Sequence, residues 1–149
     1  MLMMPMLLAL SPIKADHNLK NITLLIFALI LIIFIGLRHE VGGDWARYLD
    51  ITNSLARVGG DFTQGSGEIG YKFVQQISVD YFNGIYTSNL ICAVFFVFGL
   101  IRLSRNTPMP WVALLVATPF LITVVSLGYT TQAAAIGFLM WGLVDLMNG

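Results

Sequence analysis

Apolar residues run in long unbroken blocks along this chain, with polar residues gathered between them. That rhythm predicts a bundle of membrane-crossing helices. No residue is charged from Asn21 to Leu37, from Tyr81 to Ile101, or from Asn106 to Val144. About 20 apolar residues carry a helix across a bilayer, because helical hydrogen bonding satisfies the backbone polar groups within the segment. The last block is long enough for two crossings, parted by the short polar break Gly128-Tyr-Thr-Thr-Gln132. Spans are therefore expected at about 21–37, 83–101, 111–127 and 132–147, with Pro119 kinking the third. Residues 1–13 are apolar but short and interrupted by Pro5 and Pro12, and they read as a partial span.

The region 38–82 is polar yet patterned. Asp44 follows Gly42-Gly43 as a plausible helix N-cap, and Trp45, Tyr48, Leu49, Thr52, Leu55 and Ala56 recur near helical spacing. Gly59-Gly60 ends that helix, and 61–67 is a glycine-containing loop. A second amphipathic stretch starts at Glu68, with Phe73, Val74, Ile77 and Tyr81 on one face. Both helices are too polar to span, so they are expected at the membrane interface or packed over the bundle. Tyr81, Tyr86 and Trp111 fall near span boundaries, where interfacial aromatics gather. The fold class is an all-α, polytopic transmembrane bundle with two interfacial amphipathic helices in one extracytoplasmic loop.

Composition agrees: 57% of the 149 residues are hydrophobic and 11% charged, with mean hydropathy +0.80. A soluble domain carries about 25% charged residues. The formal net charge of zero gives no reason to expect a nucleic-acid partner. The single cysteine, Cys92, cannot form an intrachain disulfide. His17 and His39 lack companions at metal-ligand spacing, so neither a metal nor an organic cofactor is expected. Lys14 and Lys20 flank one short loop, and Arg102 and Arg105 open another. Positive residues in short loops mark the cytoplasmic side. The long polar loop 38–82 then lies outside, and counting spans puts the Gly128–Gln132 bend on that side with it.

Three polar clusters hold candidate chemistry. The first is Arg38-His39-Glu40-Val41-Gly42-Gly43-Asp44-Trp45-Ala46-Arg47-Tyr48. Arg38 and Arg47 offer forked donors suited to phosphate, and the glycine pair lets backbone N–H groups approach an anion. Glu40 or Asp44 is placed to act as a base or to orient the arginines. The plain alternative is a snorkelling arginine before a capped interfacial helix. The second cluster holds Glu68 and Tyr71, where Glu68 either faces the Arg38 site or only complements a helix dipole. The third holds Tyr129 and Gln132 in the bend. A tight hairpin needs small polar residues anyway, but polar groups at membrane depth are costly and often functional.

In this order the clusters resemble the EpsG family of exopolysaccharide proteins, related to Wzy-type O-antigen and capsule polymerases. The matching residues are Gly36-Leu37-Arg38 with Val41-Gly42-Gly43-Asp44 and Tyr48, then Glu68-Ile69-Gly70-Tyr71, then Gly128-Tyr129 with Gln132-Ala-Ala-Ala-Ile-Gly-Phe138. The resemblance implies a multi-pass protein of the bacterial inner membrane. It would work as a glycosyltransferase-like polymerase on undecaprenyl-pyrophosphate-linked oligosaccharide, with a chain-length regulator as a possible partner. Asp44, Glu68 or Glu40 would be catalytic, and Arg38, Arg47, Tyr48, Tyr71, Tyr129 and Gln132 would bind substrate. It also implies further spans, so residues 1–149 are expected to be the N-terminal part of a larger fold. Where the family has Thr-Arg-Gln this chain has Thr130-Thr131-Gln132, which removes one contact to phosphate or glycan. The rival readings are a non-catalytic membrane component that binds lipid-linked glycan, and a transporter part. The second of these expects ionisable residues within the spans, and almost none are present.

Overall fold

A computed structural model describes residues 17–58, 69–82 and 84–149, together with Met6. The segment 1–13 apart from Met6 and the loop 59–68, with Glu68, fall outside the described residues, as do residues 14–16 of the Lys14 to Lys20 loop. All regular structure among the described residues is helical: α1 (His17–Gly36), α2 (Trp45–Val58), α3 (Ile69–Phe82), α4 (Ile85–Arg105), α5 (Pro110–Ala117) continuing as a π-helix (Thr118–Ser126), and α6 (Thr130–Asn148).

The apolar blocks explain the long helices. In α1, Leu24, Phe27, Leu31 and Ile35 recur every three or four residues and are buried, while Leu25, Ile26, Leu29, Ile30, Ile33 and Phe34 point outward and are exposed. A helix that is apolar on both faces has no side suited to water; one face packs on its neighbours and the other faces lipid. Among the described residues three helices are long and apolar enough to cross a membrane: Asn18–Gly36, Ile85–Arg105 and Thr130–Asn148. The chain is an all-α membrane protein.

The central helix is α4, packed by α1 on one side and α6 on the other. α4 and α6 run parallel: Phe95 meets Phe138, Phe98 meets Trp141 and Arg102 meets Asp145, at a constant offset of 43 residues. Their backbones touch where Gly99 crosses Gly137, and a Cβ on either glycine would collide with the other helix's main chain. In lipid, where no hydrophobic force drives helices together, such close approach is a main source of packing energy. Parallel neighbours need a return crossing, and the shorter apolar helix from Pro110 to Ser126 supplies it.

At Pro119 the helix changes its hydrogen-bonding pattern. Proline lacks an N–H and clashes with the carbonyl four residues earlier. The helix relieves this by widening into π turns over Thr118–Ser126. Side chains follow the wider pitch, with Thr123 Oγ1 donating to Thr118 O, five residues back, at 2.8 Å.

At one end of the bundle α2 packs on α3 and both rest on α4. Their inward faces match the expected stripes only in part: Trp45, Tyr48, Thr52 and Val74 pack inward, whereas Leu49 and Phe73 do not. Phe73 is 59% exposed, whereas Tyr71, Gln75 and Ser78 are buried. In α2, Leu49 is exposed, and Tyr48 and Thr52 are buried. The cause is the surface they meet. Gln75 Nε2 donates to Tyr48 O (3.3 Å) and Thr52 Oγ1 (3.1 Å), and Ser88 Oγ of α4 donates to Ser78 Oγ (2.9 Å). The seam buries Gln75 and Ser78 because the amide N–H of one and the hydroxyl of the other find partners there.

Candidate functional site

The loop after α1 turns Arg38 inward beneath the start of α6. Arg38 is 6% exposed. Its Nη1 donates to Ser126 O at 2.7 Å, and its Nη2 donates to Thr130 Oγ1. Ser126 closes the π-helix, so its carbonyl lies among the last ones, which lack a helical partner. Thr130 Oγ1 in turn donates to Asn89 Oδ1 of α4 at 3.2 Å. Arg38 thus ties the ends of three helices together through neutral oxygen atoms.

A second layer lies beside this one. Tyr48 Oη is 3.1 Å from Thr131 Oγ1 and 3.4 Å from Asp44 Oδ2. The Thr131 hydroxyl can donate to Tyr48, which leaves the phenol proton for Asp44. The Tyr48 ring lies 4.8 Å from that of Tyr71, and Ile85 and Cys92 complete their cluster. Gly42 makes the close approach possible. It has φ +105°, and a Cβ there would sit 2.7 Å from the carbonyl oxygens of Leu127 and Gly128.

The structure therefore brings Arg38, Asp44, Tyr48 and Tyr71 together with the bend at Thr130-Thr131. Other expected site residues stand at the surface. Arg47, Glu40 and Gln132 are exposed, and Tyr129 is 38% exposed. Glu40 adopts φ +51°, a left-handed conformation that costs a non-glycine residue roughly 1–2 kcal/mol. Its carboxylate lies 3.8 Å from His39 Nε2. Glu68 lies outside the described residues. Sequence reasoning missed Asn89, Ser126 and Gln75, and named Thr130 as part of the polar bend without giving it a role. A signal existed for Asn89, since Ser88-Asn89 is a polar pair inside an otherwise apolar block.

Burial dominates the electrostatics. It lowers the Arg38 pKa, opposed by the nearby Tyr71 and Tyr48, but a guanidinium stays charged at any physiological pH. Among the described residues no carboxylate lies within ion-pair distance of Arg38, and its Nε has no hydrogen-bond partner. Burial also raises the pKa of Tyr71 and of Tyr48, the latter offset in part by the Thr131 hydrogen bond. Both phenols are therefore protonated at neutral pH, which suits donors and not bases. Tyr71 Oη and Asn89 Nδ2 are likewise buried without partners among the described residues.

Arg38 also borders a groove of ≈ 380 Å³ lined by Ile33, Phe34, Leu37, Val41 and Leu127. Ile33, Phe34 and Leu37 belong to the outward side of α1 and the turn after it, so the groove opens sideways, where lipid would lie. An apolar trough ending at a buried cation matches an amphiphile with an anionic head.

A family model described as the EpsG family matches residues 21–149. No curated protein and no solved structure matches the chain.

Proposed function

The chain belongs to the EpsG family, membrane proteins of exopolysaccharide biosynthesis, and from that premise we propose that it polymerises lipid-linked oligosaccharide repeat units at the outer face of a bacterial inner membrane. In this reaction the bond between the growing chain's terminal sugar and its lipid pyrophosphate breaks. A glycosidic bond forms to a hydroxyl of the incoming unit, the hydroxyl proton passes to a base, and lipid pyrophosphate leaves with the bonding electrons. The chemistry calls for fixed positive charge at the leaving group and a carboxylate near the acceptor hydroxyl.

One observation carries this reading: Arg38 is a buried cation with no anionic partner among the described residues, at the head of a sideways apolar groove. An ion buried without a counter-charge costs several kcal/mol. A lipid pyrophosphate relieves that cost by accepting from Arg38, with the isoprenoid tail along Ile33, Phe34 and Leu37. Arg47 is exposed near the same loop and serves the outer phosphate or the glycan. Asp44, hydrogen-bonded by Tyr48, is the favoured base, with Glu40 and Glu68 as the other candidates. Tyr48, Tyr71, Tyr129 and Gln132 are assigned to the glycan.

The test is Arg38→Ala in the full chain in cells. Polymer should disappear while lipid-linked single units accumulate, and polymer of normal amount and length in that strain overturns the reading. A second reading is a component that binds lipid-linked glycan without joining it. It is favoured by Thr131, which stands at the family's arginine position with its hydroxyl engaged by Tyr48. Thr131→Arg separates the two. Increased polymer marks a weakened enzyme, and unchanged output marks a binding component.

A further inference from the structure

We propose that His39, Trp45 and Tyr86 form a stacking subsite for a pyranose ring of the lipid-linked glycan; this rests on the reading under Proposed function. The three rings make one cluster. His39 lies 5.6 Å from Trp45 and 6.2 Å from Tyr86, and Trp45 lies 6.1 Å from Tyr86. His39 stacks on Tyr86 at an interplanar angle of 23°, and its Nδ1 is 2.6 Å from Tyr86 Oη. The cluster is open. The His39 side chain is 67% exposed and Tyr86 is 39% exposed.

Its chemistry is mixed in the way a sugar requires. A pyranose has an apolar C–H face and a rim of hydroxyls. The ring faces suit the former, and the His39 and Tyr86 edges with the Glu40 carboxylate suit the latter. The other outward ring pairs, Phe95 with Phe138 and Phe98 with Trp141, lie along the α4–α6 contact and present apolar edges, one indole N–H and the Arg102 guanidinium, with no carboxylate or imidazole within either pair. They fit lipid. The cluster's position points the same way. His39 follows Arg38 directly, Trp45 follows Asp44, and Tyr86 begins the turn of α4 that carries Asn89. A sugar joined to a phosphate held at Arg38 emerges beside these rings.

The experiment uses the full chain carrying Trp111→Phe and Trp141→Phe, which leaves Trp45 as the sole tryptophan. The purified protein is titrated with oligosaccharide fragments of the polymer secreted by its source strain, and separately with undecaprenyl phosphate. The fragments should change Trp45 fluorescence saturably. Tyr86→Ala should weaken their binding about tenfold, and Tyr86→Phe should largely preserve it. Undecaprenyl phosphate binding should be unaffected by either variant. Three outcomes overturn the subsite: no response to fragments while undecaprenyl phosphate still binds, equal affinity in Tyr86→Ala, or strong quenching of Trp45 by brominated phospholipid, which would place the rings in lipid. Failure of undecaprenyl phosphate to bind the parent protein instead defeats the functional reading on which the subsite rests.

Discussion

Arg38 and Arg102 stand at opposite ends of one helix bundle and are held in opposite ways. Arg102 pairs with Asp145, its guanidinium lies 5.0 Å from the Trp141 ring centre, and its side chain is 32% exposed. Arg38 is 6% exposed and is met by a carbonyl and a hydroxyl, with its Nε unpartnered among the described residues. At the Arg102 end the charge is neutralised within the protein and wetted by solvent, so it asks for nothing further. At the Arg38 end the charge is desolvated and, among the described residues, balanced only by dipoles. The first arrangement anchors helix ends at a membrane surface; the second is ready for an anion.

The sharpest way to break this comparison is to remove each arginine. Arg38→Ala should abolish polymer and weaken undecaprenyl phosphate binding by about a hundredfold, in keeping with loss of a buried charged hydrogen bond. Arg38→Lys should recover little, because one ammonium cannot reproduce a fork that reaches Ser126 and Thr130 together. Next in size is Gly42→Ala. The added Cβ meets two carbonyl oxygens at a positive φ, so the loop must leave the bend. A loss of about 1–3 kcal/mol in a thermal or chemical melt is expected, together with reduced polymer. Gly43→Ala, with open space around its Cβ, is the matched control and should be nearly silent. Asn89→Ala removes the acceptor for Thr130 and should cost about 1 kcal/mol while lowering, not abolishing, polymer. The smallest effect is expected from Arg102→Ala. An exposed pair is worth about 0.5 kcal/mol or less, and polymer should be normal. Loss of polymer from Arg102→Ala with none from Arg38→Ala would assign the site to the wrong end.

Much of the helix plan was legible because each helix rests on local order. The apolar blocks locate α1, α4 and α6 within a few residues, and the glycine pair before Asp44 marks the start of α2. The faces of α2 and α3 were legible only in part: Tyr48, Thr52 and Val74 fall on the expected stripes and pack inward, whereas Leu49 and Phe73 are exposed. An apolar stripe predicts burial only when its neighbour is apolar, and here the neighbour is the Tyr48, Thr52 and Ser88 seam. Pro119 announced a disturbance, but whether proline yields a kink or a widened π-helix depends on packing around the turn. The site was half legible. Arg38, Asp44, Tyr48 and Tyr71 were singled out and meet in space, whereas Asn89 and Ser126 carry little signal until a distant side chain reaches them.

By itself the order of apolar and polar blocks determines that this is a helical membrane protein, since a bilayer demands that each crossing satisfy its own backbone, and that demand is met residue by residue along the chain. Tertiary structure alone decided that Arg38 is buried, that Ser126 and Thr130 hold it, and that its Nε has no partner among the described residues. Those facts join residues up to 92 positions apart. Which polar groups find partners is a property of docked surfaces, and no local pattern encodes it.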